Sequence, residues 1–209
     1  MFNRIFKGVL PAVLGAAVVS PVSTLADISI VKSAKSGDTV KSVVESCKEF
    51  RVDTTCVLNF MIGLSALLST NFSNGHKKQI LVGTGCCIAL SAIKDILLLD
   101  KDVPTRTKSL FVLRDGLANL PCLLYPGGSV RNQFMSITIV QIPCTLINSY
   151  AIDYCLFSNR EDEYMCNESY ERLSSHFLTS YFIRLPRSAF SIGLSTWINY
   201  NLKRILKFK

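Results

Sequence analysis

The chain alternates between uncharged, mainly apolar windows and stretches that carry its charged residues. A helix needs about 20 mainly apolar residues to cross a bilayer, and the first, second and fifth windows reach that length unaided. The pattern therefore predicts membrane-spanning helices. The six windows are Gly8–Ala26, Thr54–Gly75, Gln79–Ile93, Gly116–Val130, Asn132–Ile152 and Ser188–Leu202.

The other three windows are too short and need apolar residues from beyond a charged pair. The additions are Ile96–Leu99 beyond Lys94 and Asp95, Leu110–Leu113 before Arg114 and Asp115, and Tyr181–Ile183 before Arg184 and Arg187. The fourth and sixth windows are therefore the weakest spans. We expect an all-α, polytopic membrane bundle of five or six spans, six being the better count, in one domain over residues 1–209.

The connections between the windows alternate between long and short, and they separate the charges by sign. All 15 acidic residues fall in the three long connections or at their margins, whereas the termini and short links carry bases and no acid. A globular surface mixes both signs, so this segregation indicates the two faces of a membrane protein. We call the basic one the terminal face; its bases are Arg4, Lys7, Lys77, Lys78, Arg131, Lys203, Arg204, Lys207 and Lys209.

Two of the long connections have the apolar period of an amphipathic helix. The apolar residues are Val40, Val43, Val44, Cys47 and Phe50 in the first, and Cys166, Tyr170, Leu173 and Phe177 in the third. We predict helices along the membrane surface near Thr39–Arg51 and Glu161–Ser175. Packing of each helix on a soluble core is the alternative. In the middle connection, Pro104 marks a position where a helix can begin.

Composition narrows the class of protein further. The 209 residues are 49% hydrophobic and 18% charged, with a mean hydropathy of +0.32, which excludes a disordered or coiled-coil chain. The formal net charge is +8. In so apolar a chain, anionic phospholipid and acidic subunits are better partners than nucleic acid.

Candidate chemistry is sparse. The eight cysteines form no C-x-x-C pair and have no histidine at zinc-ligand spacing, so we expect free thiols, with a disulfide as the alternative. We expect His76 and His176 to be solvated loop residues. No nucleophile–base pair, phosphate-binding glycine loop or paired carboxylate is recognisable, and we expect no enzyme activity, cofactor or metal.

Charges near the ends of the spans receive interfacial roles. We expect Lys94, Asp95 and Asp153 to extend toward the headgroups, as long side chains at helix ends do. Lipid headgroups are the predicted contacts of Arg184, Arg187, Lys77, Lys78 and Arg131.

The order of span, surface helix, span and short link occurs three times, over approximate repeats 1–75, 76–130 and 131–209. Prolines stand late in the first and fifth spans, each followed at the second and fifth residue by small or polar side chains. These positions are Pro21, Ser23 and Ala26, and Pro143, Thr145 and Asn148. The layout resembles the mitochondrial carrier family, whose odd-numbered helices carry a proline followed by an acidic and then a basic residue at this spacing.

The resemblance implies three two-helix repeats whose six tilted helices surround a central cavity. In the family, the charges of the motif pair between repeats and close that cavity. Here both charges are replaced in two repeats, and the third span has no proline. We therefore expect a carrier-like scaffold that does not transport: a structural or accessory subunit of a mitochondrial inner-membrane complex of the respiratory chain. Its expected partners are other membrane subunits and a cardiolipin-like lipid.

Two alternatives stay open. A divergent mitochondrial solute transporter needs polar groups at mid-membrane depth; Asn59, Asn119 and Asn199 lie on even-numbered spans, but no basic cluster is evident in the sequence. An unrelated membrane protein of the secretory pathway is the second alternative. Its support is a signal-peptide-like start and two glycosylation sequons, at Asn71 and Asn167.

Overall fold

The computed structural model describes residues 2–36, 39–98, 105–126, 130–157 and 167–206. Every regular element in these ranges is an α-helix, which confirms the all-α class. The helices are α1 (Phe2–Ser36), α2 (Thr39–Glu49), α3 (Thr54–Phe72), α4 (His76–Leu98), α5 (Thr105–Ala118), α6 (Leu120–Leu124), α7 (Val130–Phe157) and α8 (Asn167–Ile205).

The long helices form a closed ring in chain order. Helix α1 packs on α3, α3 on α4, α4 on α5, α5 on α7, α7 on α8, and α8 returns to α1. Helix α6 continues the fourth position of the ring and contacts α3, α4, α7 and α8, while α2 packs on α1. Each ring helix thus has two neighbours and one side that faces the middle of the bundle.

Two of the described helical segments are long and apolar enough to cross a membrane. They are Ile5–Ala26 in α1 and Thr54–Phe72 in α3, and they coincide with the first and second apolar windows of the sequence.

Burial in this ring is the reverse of that in a water-soluble protein, which buries mostly apolar side chains. Among the described residues, more polar or charged side chains than apolar ones are buried, and many large apolar side chains are exposed. Leu81, Ile96 and Phe182, for example, are 69–75% exposed, whereas Arg184 and Asn199 are each 1% exposed. The interior of the described part thus combines an apolar cluster around Leu67 and Leu123 with many polar side chains, and the outside exposes many large apolar ones.

Helix α3 begins at the Asp53 side chain, which accepts a hydrogen bond from the Cys56 backbone N–H at 3.1 Å.

At the other end of α3, a short turn sets α3 and α4 beside each other. Gly75 has a φ of +96°, a conformation that costs a glycine little, and its carbonyl accepts from the Gln79 N–H at 3.0 Å as α4 begins.

The two predicted surface helices have different outcomes. The first is confirmed as a helix, α2, which exposes Val40 and Val44 and buries Ser42 and Ser46. The second is not a separate element: from Asn167 onward the chain is one continuous α8, and residues 161–166 of the predicted helix lie outside the described ranges. Helix α5 begins directly after Pro104, as the sequence indicates.

Prolines affect the ring helices in two ways. Helices α1 and α7 continue through Pro21 and Pro143. We predict a bend at each, because a proline inside a helix removes one backbone hydrogen bond and its ring clashes with the preceding turn. The Ala17 carbonyl, which Pro21 cannot meet with an N–H, accepts instead from the Ser20 hydroxyl at 3.5 Å. The helix of the fourth apolar window is interrupted at Asn119, because Pro121 two residues later cannot donate to the preceding turn.

Helices α1 and α8 approach each other closely at Gly15. A Cβ built there would lie 2.8 Å from the Ser195 carbonyl oxygen and 3.0 Å from a methyl of Leu67. We expect Gly15→Ala to lower the unfolding free energy by about 1–3 kcal/mol, since a backbone atom cannot move aside. Gly85→Ala on α4 is the matched control, because nothing lies within 4 Å of its Cβ. The thermal midpoints of the purified proteins test this; equal midpoints would contradict the close α1–α8 contact.

Candidate functional site

A charged cluster of Lys94, Arg114 and Asp115 lies inside the ring. The ammonium group of Lys94, on α4, pairs with Oδ2 of Asp115, on α5. Arg114 donates to Oδ1 of the same carboxylate from Nε at 2.7 Å and from Nη2 at 2.6 Å. All three residues are less than 10% exposed. One buried carboxylate therefore receives two cations.

The cluster belongs to a row of side-chain contacts that we call the polar belt, formed by Arg114, Asp115, Lys94, Asn59 and Thr24. The Lys94 ammonium approaches Oδ1 of Asn59, on α3, at 3.5 Å. Asn59 donates from Nδ2 to the Thr24 hydroxyl, on α1, at 3.0 Å. The belt thus joins four consecutive members of the ring, α5, α4, α3 and α1, at one level.

A central cavity of about 60 Å³ adjoins the belt. It has room for a few water molecules. The polar side chains that line it are Ser20, Ser23, Asn59, Asp115, Asn119, Arg187, Ser191 and Ser195. Two of the three asparagines noted in the sequence, Asn59 and Asn119, therefore face this cavity, and Asn199 lies one turn beyond Ser195.

On the other side of the cavity, neutral amides close the ring. Asn71 of α3 and Asn199 of α8 bond to each other, with Nδ2–Oδ1 distances of 2.9 and 3.0 Å. Asn71 Nδ2 also donates to the Gly8 carbonyl of α1 at 2.7 Å, and Asn199 Nδ2 approaches the Thr70 hydroxyl at 3.4 Å. We call this group the amide clasp. It lies near the start of α1 and the ends of α3 and α8, and so toward the terminal face.

The clasp bears on the secretory alternative. N-glycosylation of Asn71 would replace one hydrogen of Nδ2, and Nδ2 already donates to Gly8 and to Asn199. A glycan on this sequon is therefore incompatible with the folded clasp. The side chain of Asn167, in the other sequon, lies outside the described part.

The residues of the degenerate carrier motif differ in burial and in the surface that they face. Ser23 faces the cavity, Ala26 is buried, and Pro21 is half-buried. Thr145 is buried and donates its hydroxyl to the Gln141 carbonyl of its own helix at 2.6 Å, while Pro143 is exposed. The Asn148 side chain lies outside the described part.

The lipid-contact prediction is wrong for Arg184 of α8 and stays a prediction for Arg187, which is half-buried. Arg184 is 1% exposed, and Arg187 lines the central cavity, because α8 turns this part of its surface to the middle of the ring. Lys77, Lys78 and Arg131 are exposed; their contact with lipid stays a prediction. Elsewhere on the terminal face, Lys203 is half-buried, and burial lowers the pKa of its ammonium group.

The expected interfacial position of Lys94 is also wrong, since its ammonium group points inward to Asp115. The side chains of Asp95 and Asp153 lie outside the described part. No basic cluster was evident in the sequence. The structure nevertheless places four basic side chains inside the ring, namely Lys94, Arg114, Arg184 and Arg187. The sequence does carry a signal: opposite charges interrupt the third and fourth apolar windows, which are neighbours in the ring.

The cysteines and histidines form no recognisable centre in the described part of the chain. Six cysteines are free thiols, namely Cys47, Cys56, Cys86, Cys87, Cys122 and Cys144. The described residues contain no group of three or more His, Cys, Asp or Glu side chains able to hold a metal. His76 is exposed at the start of α4, as expected of a solvated histidine.

The chemistry of the site is therefore ionic and hydrogen-bonding. A polar cavity lies between a charged belt and a neutral clasp, and each layer joins helices that are distant in sequence. Comparisons with family models, with curated proteins and with solved structures find no match to this chain.

Proposed function

We propose that this chain is a six-span integral membrane protein that carries a small anionic solute through its central cavity. The observation that carries the proposal is the buried cluster of Lys94, Arg114 and Asp115 beside a cavity that Arg187 also lines. Ionisable groups inside a membrane protein are costly, and they mark ion and substrate pathways.

The distribution of side chains supports the membrane part of this proposal. In lipid, apolar side chains are favourable on the outside and polar ones only inside, where they find partners. The ring has both features in its described part. The proposed spans are α1, α3, α4, the α5–α6 pair, α7 and α8.

The lining of the cavity supports an anionic solute. Arg187 and the amides of Asn59 and Asn119 supply donors, and the one carboxylate among the described lining residues already accepts from two cations. A cationic solute would have to compete with Lys94 and Arg114 for Asp115. Guanidinium and ammonium groups bind carboxylate or phosphate oxygen through charge-assisted hydrogen bonds.

A structural subunit of a mitochondrial inner-membrane complex is the second candidate, and Thr145 favours it. Its neutral hydroxyl donates within its own helix, so it supplies no negative charge for the ion pairs that the carrier motif forms between repeats. A bundle without that ring of pairs suits a scaffold role. In this setting, cardiolipin-like lipid and acidic subunits are the proposed partners of the exposed bases Lys77, Lys78 and Arg131.

Reconstitution distinguishes the two candidates. Purified protein in liposomes is expected to show saturable uptake of radiolabelled phosphate or a small carboxylate. Arg187→Gln in the cavity should reduce the uptake at least about tenfold, since one charge-assisted hydrogen bond contributes that much. Lys77→Met, at an exposed base, should leave it unchanged. Absence of uptake, with recovery of the protein only in a large complex, would replace the carrier proposal with the structural one.

A further inference from the structure

We infer that Asp115 is a resident counter-ion, which the solute must displace from Lys94 and Arg114 in order to bind. The inference rests on the proposed function, because it describes how the solute enters the same cavity. It assigns to Asp115 the selection of solute charge, and not a role in helix packing alone.

The first step is the position of the carboxylate. Asp115 belongs both to the belt and to the lining of the cavity, whereas Lys94 and Arg114 contact this carboxylate without being among the lining residues. A solute in the cavity therefore meets the two cations at the place where the Asp115 carboxylate now lies.

The second step is the balance of interactions. A buried cation is strongly unfavourable inside a membrane bundle, and the Asp115 carboxylate offsets that cost for Lys94 and Arg114 while the cavity is empty. A carboxylate or phosphate that takes its place forms the same kind of charge-assisted hydrogen bonds. The free-energy difference between the cluster with Asp115 and the cluster with the solute is therefore small. A transport site requires this, because it must both bind the solute and release it.

The third step is selectivity. A neutral solute cannot replace the ionic bonds of Asp115, so its entry would leave the cluster unchanged and gain little. An anion can form ion pairs with both Lys94 and Arg114. The displaced Asp115 carboxylate stays nearby and can form these pairs again when the anion leaves. Asp115 thus favours anions and at the same time limits their affinity.

The experiment measures thermal stabilisation of the purified full-length protein by sodium phosphate and sodium acetate, at constant ionic strength. Asp115→Asn removes the competing charge, so half-maximal stabilisation is expected at a concentration about tenfold lower than for the wild type. Asp53→Asn is the control, because it makes the same change at an exposed helix cap, where asparagine also caps well. An equal response of the wild type and Asp115→Asn would overturn the inference.

Infrared spectroscopy provides a second readout that does not need the variant to fold. Phosphate has no carboxylate band, so phosphate-induced change in the wild-type carboxylate stretch reports the release of protein carboxylates. We expect such a change, at a phosphate concentration that also stabilises the protein; a spectrum without it would contradict displacement. Stabilisation by phosphatidylglycerol micelles but not by phosphate or acetate would also overturn the inference, because the ligand would then be a lipid headgroup.

These outcomes are distinguishable from failure of the proposed function. Uptake of a neutral sugar, without any anion effect on Asp115→Asn, would leave a carrier but remove the counter-ion role. Anion binding that tightens in Asp115→Asn, in a protein without uptake, would support the counter-ion role and remove transport.

Discussion

Lys94→Met is expected to destabilise the protein by about 3 kcal/mol, because removal of one partner from a buried ion pair leaves an uncompensated charge. The methionine keeps the length and helix propensity of the lysine, so the loss of charge is the main change. Asp115 would retain Arg114 but lose the cation on its other oxygen. For a chain of this size the thermal midpoint should fall by roughly 6–12 °C.

Two further variants make this result specific. Lys77→Met removes the same charge from an exposed position in the first turn of α4 and should change the midpoint by less than about 2 °C. Lys94→Arg keeps a cation opposite Asp115 and should recover part of the loss. If Lys94→Met is as stable as Lys77→Met, the pair is not buried and the charged cluster does not exist as described.

The elements of the fold were predictable where a local pattern determines them. The apolar windows gave α1, α3, α4 and α7, and the valine period of the first long connection gave α2. Pro104 marked the start of α5. These predictions succeed because the length and period of an apolar run fix a helix without reference to the rest of the chain.

The site was less predictable, because it depends on contacts between distant segments. A hydropathy window treats a charge as the end of a span, whereas Lys94 and Asp115 neutralise each other inside the ring. That pairing requires α4 and α5 to be neighbours, which the order of the spans suggests but does not establish. Arg184 was assigned to the interface for the same reason, and it is buried.

The amide clasp is a still harder case. Asn71 and Asn199 are far apart in the sequence, and no periodicity connects them. Asn199 was identifiable only as a polar residue within an apolar span, and Asn71 only as part of a sequon. Their mutual hydrogen bonds follow from the closure of the ring by α8 on α1 and α3, which is a property of the whole fold.

Asn199→Ala is expected to open the cavity toward the terminal face. The change removes both hydrogen bonds between Asn71 and Asn199, the one that Asn71 Nδ2 donates and the one that Asn71 Oδ1 accepts. Oδ1 of Asn71 keeps the bond from the Thr70 hydroxyl at 3.2 Å, so the loss is that of the two hydrogen bonds between Asn71 and Asn199. Together these contribute about 1–3 kcal/mol, and the thermal midpoint should fall by several degrees. Asn201→Ala is the control, because within the described part of the chain the Asn201 amide bonds to the Trp197 carbonyl of its own helix, at 2.9 Å, and not to another helix.

Access to the cavity gives the sharper measurement. Ser195 lines the cavity one turn from the clasp, so Ser195→Cys places a thiol just behind it. In proteoliposomes, a membrane-impermeant thiol reagent should label this site slowly while the clasp is intact. Labelling should be at least about tenfold faster in combination with Asn199→Ala, because the clasp bonds that hold α3 to α8 contribute roughly that factor each. The labelling of the native cysteines in protein without Ser195→Cys is the background. If the rate is the same with Asn199→Ala and Asn201→Ala, the clasp does not close the cavity, and the neutral layer only fastens α3 to α8.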